Sequence, residues 1–223
     1  MLGVDGAPDG WVGVAPDPDR PRVYSAPTLG ALIVRAEVDG PVEVVGVDIP
    51  VGLAERGWRA ADLEARARLG ARRASLFLTP VRAALEAPDH ANAVRLNRAA
   101  TGQGCSRQAY GLRTKILEVD ALVRAGEDRV LEVHPELTFT AMAGRPPAHG
   151  KKTWAGQRER LGLLADAGLR LDELVGDPGR AAPDDVVDAA AGAWTARRRQ
   201  TGTARPVPDP PERVAGRDRA IWA

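Results

Sequence analysis

The chain has 223 residues, enough for one large domain or a core with a sizeable insertion, and enough to bury a real hydrophobic core. Hydrophobic and charged fractions of 44% and 27% are those of an ordinary globular protein, and a formal net charge of +1 excludes a global electrostatic pull toward nucleic acid or membrane. The single cysteine, Cys105, excludes an intramolecular disulfide and a cysteine-based zinc cluster.

Residues 2–5 read as a strand that runs into the dense turn signal Gly6-Ala7-Pro8-Asp9-Gly10. Trp11–Ala15 and Arg22–Ala26 follow as strands around the turn Pro16-Asp17-Pro18-Asp19-Arg20-Pro21, and the three make an antiparallel meander. Thr28 is placed as an N-cap for a helix with Leu29, Leu32, Ile33 and Ala36 on one face, ended by Gly40-Pro41. Residues 42–48 form a β-branched, apolar strand suited to burial on both faces. A strand, helix and strand in that order predict a right-handed crossover beside the first strand.

Residues 58–126 are mainly helical and arginine-rich, with Pro80 and Pro88 as punctuation, a loop at Thr101–Gly104 and a helix over Arg113–Ala125. Arginine outnumbers lysine by 28 to 3, which reads first as codon bias of a GC-rich genome rather than as a nucleic-acid signal. Arg129–His134 is another strand, Arg158–Ala167 a helix, and Pro183-Asp184 starts a long helix to about Arg199. The tail, about 203–223, is proline-rich and expected to be extended or irregular. There is no internal repeat, and the expectation is a single domain over 1–223. The early first strand leaves no room for a signal peptide, and no run approaches ~18 apolar residues, so the expected location is the cytoplasm.

If the meander is extended by the 42–48 strand and then by the 129–134 strand, the fold is α/β, with a mixed five-stranded sheet of order 3-2-1-4-5 flanked by helices. Asp5 and Asp48 then emerge side by side at the ends of parallel neighbours about 4.8 Å apart, at a topological switch point. Asp5-Gly6 also suits a turn, but a carboxylate after a buried strand, as at Asp48, is costly without a partner. Asp184 reads as a helix cap, while Asp185 and Asp188 are one turn apart on one face. The opposite face, with Val186, Val187, Ala190 and Trp194, is expected to pack on the sheet. Glu136 and His134, at the end of the last strand, adjoin the same crevice as a further ligand and a proton donor or acceptor. Clustered carboxylates repel one another without a cation, and hard oxygen donors suit Mg²⁺ or Mn²⁺. Arg72, Arg73, Lys115, Lys151 and Lys152 are the candidates for a substrate phosphate; two of the three lysines are adjacent in Gly150-Lys151-Lys152-Thr153.

The segments GVDGAPDGWVGV (3–14), VGVDIPVGL (45–53), LGARRASLFLTPVR (69–82), TGQGCSRQAYGLRTKILEVD (101–120), EVHPE (132–136), KKT (151–153) and DDVVDAAAGAWTA (184–196) resemble the family catalogued as domain of unknown function 429, predicted RNase H-like nucleases. The resemblance implies an RNase H-like core with a helical insertion between strands four and five. By similarity to Holliday-junction-resolvase-type members of that superfamily, Asp5 is the strand-one carboxylate and Asp48 the strand-four acid, commonly a glutamate there. Asp185 and Asp188 match the late-helix pair. The expected function is therefore a Mg²⁺- or Mn²⁺-dependent nuclease acting on DNA or RNA. In it Asp5, Asp48, Asp185 and Asp188 hold metal, Glu136 assists, and there is no membrane partner. The alternatives are a phosphate- or nucleotide-binding or phosphotransfer protein that reuses the pocket, and a metal-independent interaction module. The sequence does not assign an oligomeric state.

Overall fold

A computed structural model describes residues 1–17, 20–214 and 216–223. In chain order the elements are β1 (Leu2–Ala7), β2 (Gly10–Ala15), β3 (Arg22–Ala26), α1 (Leu29–Glu37), β4 (Val45–Val47), α2 (Ala60–Leu69), a 3-10 segment (Gly70–Ser75), α3 (Arg82–Leu85), α4 (His90–Thr101), α5 (Arg107–Gly111), α6 (Arg113–Arg124), β5 (Val130–Val133), α7 (Pro135–Ala143), α8 (Trp154–Asp166), a second 3-10 segment (Leu171–Glu173), β6 (Val175–Gly176), α9 (Pro183–Gln200), β7 (Pro206–Val214) and β8 (Arg217–Trp222). The chain divides into two compact units. The first comprises Met1–Ile49, Asp128–Arg205 and Trp222–Ala223; the second comprises Pro50–Glu127 and Pro206–Ile221.

The first unit is built on a mixed sheet in the order β6-β3-β2-β1-β4-β5. β1, β2 and β3 form the antiparallel meander, and β4 and β5 add to it in parallel. The order 3-2-1-4-5 is thus present, and a two-residue sixth strand, β6, pairs with β3 in parallel at the outer edge. The turn after β2 includes Pro18 and Asp19, which lie outside the described residues. Helix α1 starts where the sequence places it: the Thr28 hydroxyl accepts from the Ala31 amide at 3.2 Å, and Leu29, Leu32, Ile33 and Ala36 are its buried residues. β4 is shorter than residues 42–48, although its ladder extends at one end through Leu2 N–H to the Val44 carbonyl. Helix α8 begins four residues earlier than the apolar pattern suggests, because the Thr153 hydroxyl caps the Gly156 amide at 3.0 Å.

The second unit holds α2 to α6. Val81, Ala84, Ala87, Ala93, Ala109 and Tyr110 form a small core there, and the Tyr110 hydroxyl donates to the Ala87 carbonyl at 2.7 Å. The proline-rich tail supplies β7 and β8, two neighbouring hydrogen-bonded strands, with α2 packed on β7. Among the described residues no helix is long and apolar enough to cross a membrane.

Candidate metal centre

β1 and β4 run parallel with Leu2, Gly3 and Val4 opposite Val45, Gly46 and Val47. The next residue on each strand path is an aspartate, and the Asp48 amide donates to the Val4 carbonyl at 2.9 Å. Asp5 and Asp48 therefore sit beside each other at the carboxyl end of the parallel pair. β2 flanks this pair on one side and β5 on the other, so the position is the switch point of the sheet.

Asp188 arrives from α9, and three glycines explain how it reaches the strand ends. A Cβ on Gly3 would lie 1.9 Å from the Ala193 amide nitrogen and 2.0 Å from the Ala189 carbonyl oxygen. One on Gly46 would lie 2.8 Å from the Gly192 carbonyl oxygen, and one on Gly192 would lie 2.9 Å from that of Gly46. Helix backbone thus rests on strand backbone, a close approach that only glycine in the strand permits. The expected packing face of α9 is thus only part of its contact with the sheet. Val187 and Ala190 are buried and Val186 and Trp194 partly buried in the cluster with Val12, Val14 and Phe139. The closest approach, however, belongs to Ala189, Gly192 and Ala193, because glycines on the strands admit the small residues most deeply. Asp188 lies on this sheet-facing side and not opposite to it.

One carboxylate oxygen from each of Asp5, Asp48 and Asp188 lies within 4.8 Å of the others. Asp188 is buried, and Asp5 and Asp48 are partly buried. Burial, then repulsion from neighbouring carboxylates, drives their protonation equilibria upward. Asp5 is raised well above the ordinary carboxylate range by burial, then by Asp48 and Asp188, with one oxygen also accepting from the Gly6 amide at 2.6 Å. Asp48 is pushed to about 8 by burial and then by Asp188, with Glu132 and Glu136 adding to the effect. Asp188 is pushed to about 6 by burial, against the opposing pull of Lys151.

Lys151 is the cation of this group. Its Nζ lies 2.5 Å from Asp188 Oδ2 and 3.8 Å from Asp184 Oδ2. Burial works against its charge, but Asp188, and behind it Asp5 and Asp48, outweigh that cost and raise its pKa. The loop that carries it is tightly held. Gln157 Nε2 donates to the Lys151 carbonyl at 2.7 Å, and the Thr153 hydroxyl donates to the Gly150 carbonyl at 2.8 Å.

The other acidic candidates are used differently. Asp185 supplies the reciprocal bond of the α9 start: its Oδ2 accepts from the Ala182 amide at 3.0 Å. Pro183 takes the first helical position, so Ala182 becomes the N-cap and Asp185 reaches back from the third turn position. Asp184, expected as the cap, instead faces Lys151. Glu136, in the first turn of α7, is ion-paired with the fully buried Arg160 of α8. Arg160 also donates to the His149 and Gly156 carbonyls, each at 3.0 Å, and stacks over the Phe139 ring with 5.3 Å to its centroid. Glu136 therefore borders the three aspartates electrostatically while its carboxylate holds α7 to α8. His134, the N-cap residue of α7, is partly buried at the end of β5. Lys152 is exposed. Arg72 and Arg73 lie on the 3-10 segment, and Lys115 on α6, all in the second unit.

Sequence reasoning misses Glu132, a buried residue opposite Val47 whose charge adds to the field at Asp48. Its signal is a glutamate inside the apolar run Val130-Leu131-Glu132-Val133. It also misses Gly3, Gly46 and Gly192, although glycine inside a strand is itself a mark of close backbone approach. Arg160 has no distinguishing sequence signal among 28 arginines.

A family model described as "Protein of unknown function (DUF429)" matches residues 3–213, so the chain belongs to that family. Neither the curated proteins nor the solved structures contain a match to the chain.

Proposed function

We propose that this member of the DUF429 family is a divalent-metal-dependent nuclease that hydrolyses phosphodiester bonds in DNA or RNA on an RNase H-like core. The observation that carries the reading is the convergence of Asp5, Asp48 and Asp188, from two strands and a late helix, within 4.8 Å at the sheet's switch point. The same convergence favours a metal role over the view that these acids serve only as caps and turns. Asp185 does bond back to a helix start, and Asp188 does not.

The donor set fits Mg²⁺ or Mn²⁺. All three groups are hard oxygen donors, and oxygens bound about 2.1 Å from one Mg²⁺ are at most about 4.2 Å apart, so a small contraction is enough. The raised equilibria of Asp5 and Asp48 point the same way, since gathering three carboxylates in partly buried positions is unfavourable until positive charge arrives. A divalent cation held by Asp5, Asp48 and Asp188 would supply an activated water and charge stabilisation for the leaving oxygen of a phosphodiester.

The chain's own residues supply the rest. Asp5, Asp48 and Asp188 hold the ligand oxygens on rigid elements, with Gly3, Gly46 and Gly192 setting the helix-to-strand spacing. Lys151, paired with Asp188, offsets part of the carboxylate charge, and in this reading its ammonium meets a phosphate oxygen of the substrate. The Glu136–Arg160 pair fixes the packing of α7 on α8 beside the site.

The test is cleavage of a panel of single-stranded, duplex, hybrid and branched DNA and RNA substrates. Mg²⁺ or Mn²⁺ should support cleavage, EDTA should abolish it, and Asp5→Asn should remove it while leaving the protein folded. A purified protein that cleaves nothing on the panel but binds a nucleotide or phosphorylated metabolite would contradict the reading.

A further inference from the structure

The chain has five tryptophans, and four of them are buried or partly buried. Trp154 is 78% exposed. A tryptophan left in water gives up the largest apolar burial any side chain offers, so its position on the surface is informative. It is the first residue of α8, three residues after Lys151, whose ammonium touches Asp188. The intervening Lys152 is exposed and cationic.

The segment from Gly150 to Gly156 is a fixed spacer rather than a loose loop. The Thr153 hydroxyl bridges the Gly150 carbonyl at 2.8 Å and the Gly156 amide at 3.0 Å. A Cβ on Gly156 would lie 2.0 Å from the Gly150 carbonyl oxygen, so the chain closes on itself there. At the near end Glu159 accepts from the Ala148 and His149 amides at 2.8 and 3.0 Å. Lys151, paired with Asp188, the exposed Lys152 and Trp154 are thereby carried in one short row along a hydrogen-bonded stretch of chain.

From this row we infer that Trp154 is a stacking platform for an unpaired nucleobase, so that the substrate presents single-stranded nucleotides next to the bond cleaved. The inference rests on the nuclease reading above and adds the substrate class to it. A base inside a duplex is already stacked on both faces and offers the indole nothing. An unpaired base offers a free π-face, while the exposed Lys152 meets the adjoining phosphate. Stacking of this kind tolerates every base and both sugars, so DNA and RNA are separate arms of the test and not separate proposals.

The experiment measures binding of one short sequence, as DNA and as RNA, in single-stranded and blunt duplex form, with Ca²⁺ in place of Mg²⁺ to hold off cleavage. Wild type should prefer the single strand. Trp154→Ala should weaken single-strand binding by about 10-fold and leave duplex binding within about twofold, as expected for one lost base–aromatic stack. Trp154→Phe should restore most of the affinity, and tryptophan fluorescence of wild type should be quenched on binding. Cleavage in Mg²⁺ is followed in parallel on the same variants. Trp154→Ala that binds single strands like wild type, or loses both forms equally, overturns the inference; continued EDTA-sensitive cleavage then leaves the nuclease reading standing. A wild-type protein that binds neither form and cleaves neither overturns both.

Discussion

Each of the two units buries a group of charges, and the two groups are built on opposite principles. In the second unit Arg59 is fully buried beside Asp62, which is 1% exposed. Arg59 Nε and Nη2 donate to Asp62 Oδ1 at 3.2 and 2.7 Å, Nη1 donates to the Val51 carbonyl at 3.1 Å, and Asp62 Oδ2 accepts the Thr79 amide at 2.8 Å. A buried positive charge meets a buried negative charge, Glu212 adds to the field at Arg59, and hydrogen bonds hold both partners of the pair. In the first unit three carboxylates converge on a single ammonium. The first arrangement is complete as it stands. The second has an excess of negative charge, which is a reason to expect a cation from outside. Burial alone therefore does not separate a structural charge from a functional one; the balance of charge does.

The comparison breaks most visibly when each group loses one carboxylate. Asp62→Ala strands a buried guanidinium and should cost about 3–5 kcal/mol of stability, read from urea unfolding. Asp48→Asn should act in the other direction at pH 8 without metal, because a neutral group replaces a carboxyl whose ionisation is opposed by burial and by Asp188. If Asp48→Asn destabilises the metal-free protein as much as Asp62→Ala does, the cluster is a structural network after all.

Metal separates the groups next. A ligand that binds only the native state adds about 2.7 kcal/mol at a hundredfold excess over its Kd. Mn²⁺ should raise the melting temperature of wild type accordingly, and Asp48→Asn and Asp188→Asn should lose most of that shift. Equal shifts in all three proteins would assign the effect to sites elsewhere.

A third difference, read as a slope, is the pH dependence of the metal-free protein. Asp48 has a folded-state pKa of about 8, while in the unfolded chain it returns to about 3.9. Between those values the native state keeps a proton that the unfolded state has released, so stability should fall as pH rises across that window. Asp5 is shifted in the same direction, and Asp188, at about 6, acts over the lower part of the window. Asp48→Asn should flatten the curve, and saturating Mn²⁺ should also flatten or invert it. Stability that rises steadily from pH 4 to pH 8 without metal would contradict the repulsion described at the cluster.

Much of this arrangement is legible in the sequence. Asp5 and Asp48 stand out because each ends an apolar strand, and the crossover rule makes their strands parallel neighbours. The order 3-2-1-4-5 needs more than these local signals: the place of the 129–134 strand is a supposition that agrees with the RNase H-like resemblance. Asp185 and Asp188 are harder to separate, since both satisfy the i, i+3 spacing. Only the position of Pro183 decides that Asp185 bonds back to the N-cap residue Ala182; a helix that began after Asp184 would make Asp184 the cap instead. The approach of α9 to the sheet is hidden because glycines carry no chemistry of their own. Their meaning lies in which backbone comes close. The Glu136–Arg160 and Arg59–Asp62 pairs are hidden for a different reason: among 28 arginines, nothing local marks the two that are fully buried. The prolines at 206, 208, 210 and 211 suggest an irregular tail, yet β7 and β8 form there, and Ala215 between them lies outside the described residues.

The most direct test of the central claim is a crystal of the protein grown or soaked with Mn²⁺, with anomalous scattering used to locate the ion. The account predicts a peak bounded by the carboxylates of Asp5, Asp48 and Asp188, with Asp185 still bonded to the Ala182 amide. An anomalous map with no peak among those three residues at saturating Mn²⁺, or a peak only at other acidic residues, would contradict it.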